Sequence, residues 1–147
     1  MISLWSVLTI AHLFGLALGA GAATVKLTLL LRCRSNHDFV PVFLKITRPV
    51  TRLIILGLIL LTLSGIGWIL VGMPVTKLLL VKICLVLVIW ILGPVIDNVI
   101  EPKFKKLAPE PGTQVSPDFV EIQKRYLMLE TVATSLFYVI TVMGVLL

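Results

Sequence analysis

Four long apolar segments occupy most of this chain, and they constrain its fold more than any other feature. They cover about residues 3–31, 50–71, 75–100 and 119–147. A helix needs about 20 apolar residues to cross roughly 30 Å of hydrocarbon, so each segment is long enough to span a bilayer. The sequence therefore predicts an all-α fold, an integral membrane four-helix bundle that forms a single transmembrane domain over residues 1–147.

The composition excludes the main alternative classes. The chain is 59% hydrophobic over 147 residues, which is more apolar surface than a soluble domain of this size can bury. Its net charge of +6 does not indicate nucleic-acid binding, because the basic residues flank the apolar segments and leave no soluble segment for a binding fold. The first segment lacks a basic start and is longer than the apolar core of a signal peptide, so we predict a membrane span there.

The positive charges predict the orientation of the bundle in the membrane. They concentrate around two predicted inner-face loops, 32–49 and 101–118, and comprise Lys26, Arg32, Arg34, Lys45, Arg48, Arg52, Lys103, Lys105, Lys106, Lys124 and Arg125. Short loops rich in Lys and Arg stay in the cytoplasm, so both termini are expected on the extracytoplasmic side of a bacterial or archaeal cytoplasmic membrane. On this topology Cys33 and Cys84 lie too far apart to form a disulfide.

Prolines mark the expected irregularities of the helices. Pro49 is expected to kink the chain where a short amphipathic helix enters the second span, and Pro94 is expected to bend the third span. Ser116 followed by Pro117 is typical of the start of a helix.

A ridge of small residues runs along the first span. Ala11, Gly15, Gly19 and Ala23 recur every four residues, a spacing that lets another helix approach closely. His12 lies beside this ridge and shares a face with the two glycines. Two uses of Gly15 and Gly19 are open: tight helix packing, or a flat surface for a macrocycle ligated by His12.

His12 and Lys82 are ionisable residues inside predicted spans, where such groups usually face the bundle interior or a cavity. His12 is expected either to bond a Ser or Thr of another helix, such as Ser64 or Thr141, or to act as a metal or haem ligand or a proton-handling group. Lys82 is expected in the same outer half of the bundle. It either snorkels to the interface or meets an anionic group of a shared ligand.

Three acidic residues lie near the inner ends of the spans: Asp97, Glu101 and Glu130. Arg48 and Arg52 are predicted at a similar depth, so structural ion pairs at the inner rim are expected. A place for Glu130 on a proton path is the alternative.

Three stretches of the chain resemble a loose superfamily of small four-helix membrane proteins. The stretches are AHLFGLALGAGAATVKLTLLLR, RPVTRLIILGLILLTLSGIGWIL and TKLLLVKICLVLVIWILGP. The superfamily includes the HemJ-type protoporphyrinogen oxidases, the membrane domain of the copper-resistance protein CopD and uncharacterised relatives. In the HemJ-type enzymes a His of the first helix and a Lys of the third are associated with b-type haem, and His12 and Lys82 match these positions.

The resemblance, together with His12, implies a small membrane protein that binds haem b or another tetrapyrrole for redox chemistry or electron transfer. His12 is the expected metal ligand, and Lys82, Gly15 and Gly19 are further cofactor-binding residues. A scaffold or subunit without a cofactor is the alternative, and copper handling or small-solute transport is a third class. Expected partners are the lipid bilayer, a tetrapyrrole or quinone-type ligand, and a homo-oligomer or larger membrane complex; nucleic acid is not expected.

Overall fold

A computed structural model describes residues 3–146, and this part of the chain is helical with no strand. The helices are α1 (Leu4–Ser35), α2 (Val40–Leu70), α3 (Lys77–Val95), α4 (Glu101–Leu107) and α5 (Pro117–Val145). A 3₁₀ turn, His37–Phe39, precedes α2, and a π-helical turn, Ile96–Ile100, joins α3 to α4 without a break. Four of the resulting stretches are long and apolar enough to cross a membrane, which confirms the all-α prediction.

Short polar side chains cap the starts of three helices. The hydroxyls of Ser3, Thr76 and Ser116 accept hydrogen bonds from the backbone N–H groups of Ser6, Leu79 and Phe119, respectively. Each cap satisfies a backbone donor that the first turn of a helix leaves without a partner. The predicted helix start at Ser116 and Pro117 is thereby confirmed.

The helices extend beyond the predicted spans, so the expected loops 32–49 and 101–118 are partly helical. At the start of α2 the structure differs from the separate amphipathic helix expected before Pro49, because α2 continues through this proline. Phe43, Thr47 and Val50 form one buried stripe that crosses the proline, while Pro49 itself is exposed. Packing of this stripe holds the helix together where Pro49 removes a backbone hydrogen bond.

The third stretch changes its hydrogen-bond pattern after Pro94. In the π-helical turn the N–H of Glu101 donates to the carbonyl of Ile96, five residues earlier. This turn is wider than an α-helical turn, so residues four and five positions apart lie on one face. Turns of this kind occur often at functional sites. Here the turn carries Asp97 and leads directly into Glu101.

The four stretches form a ring in cross-section. Helix α1 packs on α2 and α5, and α3 packs on α5. The indole N–H of Trp90 on α3 donates to the hydroxyl of Thr62 on α2 at 3.1 Å and joins the remaining pair. Helices α1 and α3 therefore stand at opposite corners of the bundle.

The bundle core has two parts. An apolar layer in the middle consists of Ala20, Ala23, Leu58, Ile89, Phe137 and Ile140. A larger, aromatic part lies toward the end that holds the α1–α2 and α4–α5 connections, here called the connection end; it includes Phe43, Phe104, Phe119 and Tyr126. Cys33 is buried in this part and Cys84 is exposed on α3; both are free, as predicted.

Candidate functional site

A lysine is buried inside the bundle near the connection end. Lys26 is only 2% exposed, although it is a charged residue of a membrane-spanning helix. It falls on the buried stripe of α1 that also contains Gly19, Ala23 and Leu30. An ionisable side chain in this position needs charged or hydrogen-bonding partners to offset its desolvation.

Three carboxylates surround the Lys26 ammonium. Its Nζ atom lies 2.7 Å from Oε1 of Glu130 on α5 and 3.1 Å from Oδ1 of Asp97 in the π-helical turn. Oε2 of Glu101 lies 3.8 Å away. The contact with Asp97 is a hydrogen bond, whereas the contact with Glu130 is an ion pair without hydrogen-bond geometry. We call these four residues the Lys26 cluster.

Tyr126 supports the cluster from α5. Its hydroxyl donates to Oε2 of Glu101 at 3.2 Å, and its ring centre is 5.6 Å from Nζ of Lys26. The ring is fully buried among Phe43 and Phe104. Packing therefore fixes the tyrosine, and the tyrosine in turn orients Glu101.

The charges of the Lys26 cluster do not balance. One lysine faces three carboxylates, so two negative charges would remain uncompensated if every group were ionised. Such an excess is unfavourable in a poorly solvated site. A proton or another cation bound to the carboxylates reduces this negative excess. The Lys26 cluster is therefore chemically suited to binding a proton or another cation.

Two cavities connect the cluster to the connection end. The outer one has a volume of about 750 Å³ and lies between α2 and the π-helical turn with α4. The inner one, of about 40 Å³, is lined by Lys26 and Glu130. Thr51 and Asp97 line both cavities and so stand at the boundary between them.

Several buried polar atoms at this end have no hydrogen-bond partner within residues 3–146. They are the hydroxyls of Thr47, Thr51 and Thr134, the side-chain nitrogen of Gln123 and Oε1 of Glu130. Buried polar groups are usually satisfied by protein or by ordered water. A cavity of about 40 Å³ is large enough to hold water, so the inner cavity suits a hydrated path to Glu130.

The ion pairs differ from those expected at the inner rim. Asp97, Glu101 and Glu130 pair with Lys26, whereas Arg48 and Arg52 lie within 4 Å of no carboxylate in the described part of the chain. The charge pattern of the sequence groups Lys26 with the loop charges, because this residue lies near the end of its span. The ridge contained the missing signal: Lys26 follows Ala23 by three residues and therefore shares its buried face.

His12 forms a second polar centre, in the other half of the bundle. Its Nδ1 atom lies 2.8 Å from the hydroxyl of Ser64, and its ring centre is 4.7 Å from that of Trp68. The Ser64 hydroxyl donates to the carbonyl of Leu60 at 2.6 Å. It therefore accepts from His12, so the imidazole carries its proton on Nδ1. Of the alternatives expected for His12, the bond to a Ser or Thr of another helix is observed, with Ser64 as the partner.

Lys82 lies on the opposite corner of the bundle from His12. It is half-buried on α3, and its Nζ atom packs against Gly144 of α5, where an added Cβ would lie 3.0 Å from it. The hydrogen bonds of residues 3–146 link His12 to Ser64 and do not link it to Lys82. Lys82 therefore makes no hydrogen bond to His12, although it lies near enough for its charge to act on the imidazole.

The glycine ridge packs against α2 and, at Gly19, also against α5. A Cβ on Gly15 would lie 2.9 Å from the carbonyl oxygen of Gly57, and a Cβ on Gly19 would lie 3.0 Å from the ring of Phe137. A macrocycle on this face would have to displace α2, so Gly15 and Gly19 do not fit a haem in this arrangement. Tight packing is the role that the geometry gives them. By contrast, His12 fits a ligand role, because its Nδ1 is held and its Nε2 is left to bond a metal.

No group of three or more His, Cys, Asp or Glu residues in the described range 3–146 is arranged to hold a metal ion. A haem ligated by a single histidine does not require such a group. Comparison of the chain with protein-family models, with curated proteins and with solved structures gives no match.

Proposed function

We propose that this integral membrane protein stores a proton in the Lys26 cluster and exchanges it with the aqueous phase at the connection end. The observation that carries the proposal is the burial of one lysine among three carboxylates beneath a water-sized cavity. Ionisable residues inside a membrane are usually functional, and carboxylates form many proton relays.

The burial of each carboxylate suggests its part in the exchange. Glu130 is 3% exposed and lines only the inner cavity, so it is the proposed storage group. The Asp97 side chain is 25% exposed and lines both cavities, so it is the proposed exchange group. Lys26 stays charged in this scheme and holds the carboxylates together.

We expect Glu130→Gln to remove the stored proton. Losing one carboxylate lowers the negative excess that favours protonation. Infrared spectra of the purified protein in bilayers at neutral pH should show the carbonyl band of a protonated carboxylic acid, and this band should be absent in the variant. Glu121→Gln is the matched control, because Glu121 lies on the same helix but is exposed and paired with Arg125. An unchanged band in Glu130→Gln would contradict the proposal.

The proposal includes the orientation predicted from the loop charges, with the connection end in the cytoplasm and both termini outside. In a Cys84→Ser background, a cysteine at Thr113 should resist a membrane-impermeant maleimide applied to intact cells. A cysteine at Val75, in the α2–α3 turn, should react readily, because both positions are exposed but lie at opposite ends of the bundle. The reverse labelling pattern would place the proton exchange on the outer side.

Haem binding at His12 is a second candidate function. It is supported by the resemblance of the sequence and by the free Nε2 atom of an imidazole fixed through Ser64. A haem would supply one-electron redox chemistry. The protein's own contribution is to orient the imidazole and to exclude water with the apolar layer beneath it.

We expect His12→Ala to abolish any haem absorption of the purified protein. A reduced-minus-oxidised spectrum at equal protein amounts measures the bound haem. Ser64→Ala should retain haem but weaken its binding about 10- to 100-fold, because loss of a group that orients a ligand has effects of that size. An identical spectrum in parent and His12→Ala would remove His12 as the ligand.

A further inference from the structure

The outer cavity at the connection end is lined by four cationic side chains that have no acidic partner. Arg48 and Arg52 lie one turn apart on α2, and Lys105 and Lys106 face them from α4. None of the four lies within 4 Å of a carboxylate in the part of the chain that the structure describes. Unpaired cations gathered around one cavity create a positive potential that attracts anions.

The carboxylates in the cavity wall do not cancel this charge. Asp97 and Glu101 line the cavity, but Lys26 and Tyr126 hold them from the bundle side. Four cations against these two carboxylates leave an excess of two positive charges in the wall. A dianion matches this excess better than a singly charged carboxylate does.

We propose that this cavity binds a phosphate-bearing dianion, either free phosphate or a phosphomonoester, the latter as a soluble molecule or as a lipid headgroup. Arginine guanidinium groups bond phosphate oxygens in pairs, and the i,i+4 spacing of Arg48 and Arg52 places two of them on one face of α2. The Thr51 side chain, whose hydroxyl has no partner within residues 3–146, lies in the same wall.

The volume and the location fit this ligand class. About 750 Å³ exceeds what one phosphate needs and leaves room for an attached glycerol or a similar group. Clusters of Lys and Arg next to membrane spans recognise phosphate headgroups of lipids. Because Asp97 also borders the inner cavity, a bound dianion would lie next to the exchange group proposed above.

The test uses the full-length protein in phosphatidylcholine nanodiscs. One arm titrates inorganic phosphate and glycerol 3-phosphate by calorimetry, and the other measures retention of phosphatidic acid by native mass spectrometry. Binding in the first arm alone identifies a soluble ligand, and binding in the second alone identifies a headgroup. In either case Arg48→Gln/Arg52→Gln should weaken binding about tenfold or more, since charge-assisted hydrogen bonds are lost.

Lys103→Gln is the matched control, because Lys103 is an exposed cation of α4 that does not line the cavity. It should bind as the parent does. If the arginine variant fails to fold, Lys105→Gln/Lys106→Gln provides the same comparison from the other wall. Absence of binding in both arms, or equal affinity in parent and variants, overturns the proposal. The infrared band of the proton stored at Glu130 should persist in these variants, so failure here is distinguishable from failure of the proton proposal.

Discussion

Replacing Lys26 with methionine is expected to destabilise the protein by about 3–5 kcal/mol, the usual effect of removing one partner from a buried ion pair. The change leaves three carboxylates around an apolar side chain at a site that is 2% exposed. The length and apolar character of methionine keep the loss of packing small, so the electrostatic effect dominates. Unfolding of the purified protein in mixed micelles, followed by circular dichroism, measures the difference.

Two further variants separate charge from packing. Arg125→Met removes a cation from an exposed pair with Glu121, so its effect should remain below about 1 kcal/mol. Lys26→Met/Glu130→Gln removes both members of the closest buried pair and should recover part of the stability lost in Lys26→Met. If Lys26→Met is as stable as the parent, the carboxylates do not depend on this lysine, and the Lys26 cluster has no electrostatic role.

The fold could be predicted because apolar segments of about 20 residues or more are long enough to form membrane-spanning helices. The ends of the helices were harder to predict, because the helices continue into polar sequence beyond the end of each apolar segment. At the start of α2 the buried residues Phe43 and Thr47 are separated by the exposed residues Lys45 and Ile46, and the helix is held by contacts with distant parts of the chain. Those contacts become visible only when the helices are placed together.

The candidate site was predicted in part. The bond from His12 to Ser64 was one of two alternatives that the sequence left open, and it rested on the high cost of an unpartnered imidazole in a span. The Lys26 cluster was missed because charge counting assigns lysines near span ends to loops. The sequence placed Glu130 and Asp97 at a similar depth, but the choice of partner depends on how each helix is rotated about its axis.

An apolar layer separates the two polar centres. Lys26 and His12 are fourteen residues apart on α1, which corresponds to about 21 Å along the helix. Between them lie Ala20, Leu58 and Ile140 of the middle layer, which do not line the inner cavity. Protons cannot cross such a layer without water, so the exchange proposed for the Lys26 cluster is with the connection end alone.

The contact between α1 and α2 should be the part of the bundle that tolerates enlargement least. A Cβ on Gly57 would overlap the backbone N and Cα of Gly19 and would lie 2.7 Å from the carbonyl oxygen of Gly15. Backbone atoms cannot rotate away as a side chain can, so α1 and α2 would have to separate. We expect Gly57→Ala to destabilise the protein by about 3 kcal/mol, the upper end of the usual range for overpacking.

Gly65→Ala provides the matched control on the same helix. A Cβ on Gly65 meets nothing within 4 Å, so this variant should be as stable as the parent or slightly more stable because alanine favours helix. The same unfolding assay in mixed micelles compares the two alanine variants. Separation of α1 from α2 would also disturb the bond between His12 and Ser64, so Gly57→Ala should quench or shift the fluorescence of Trp68, which lies against His12. Equal stability of the two variants would show that α1 and α2 are not packed through their glycines.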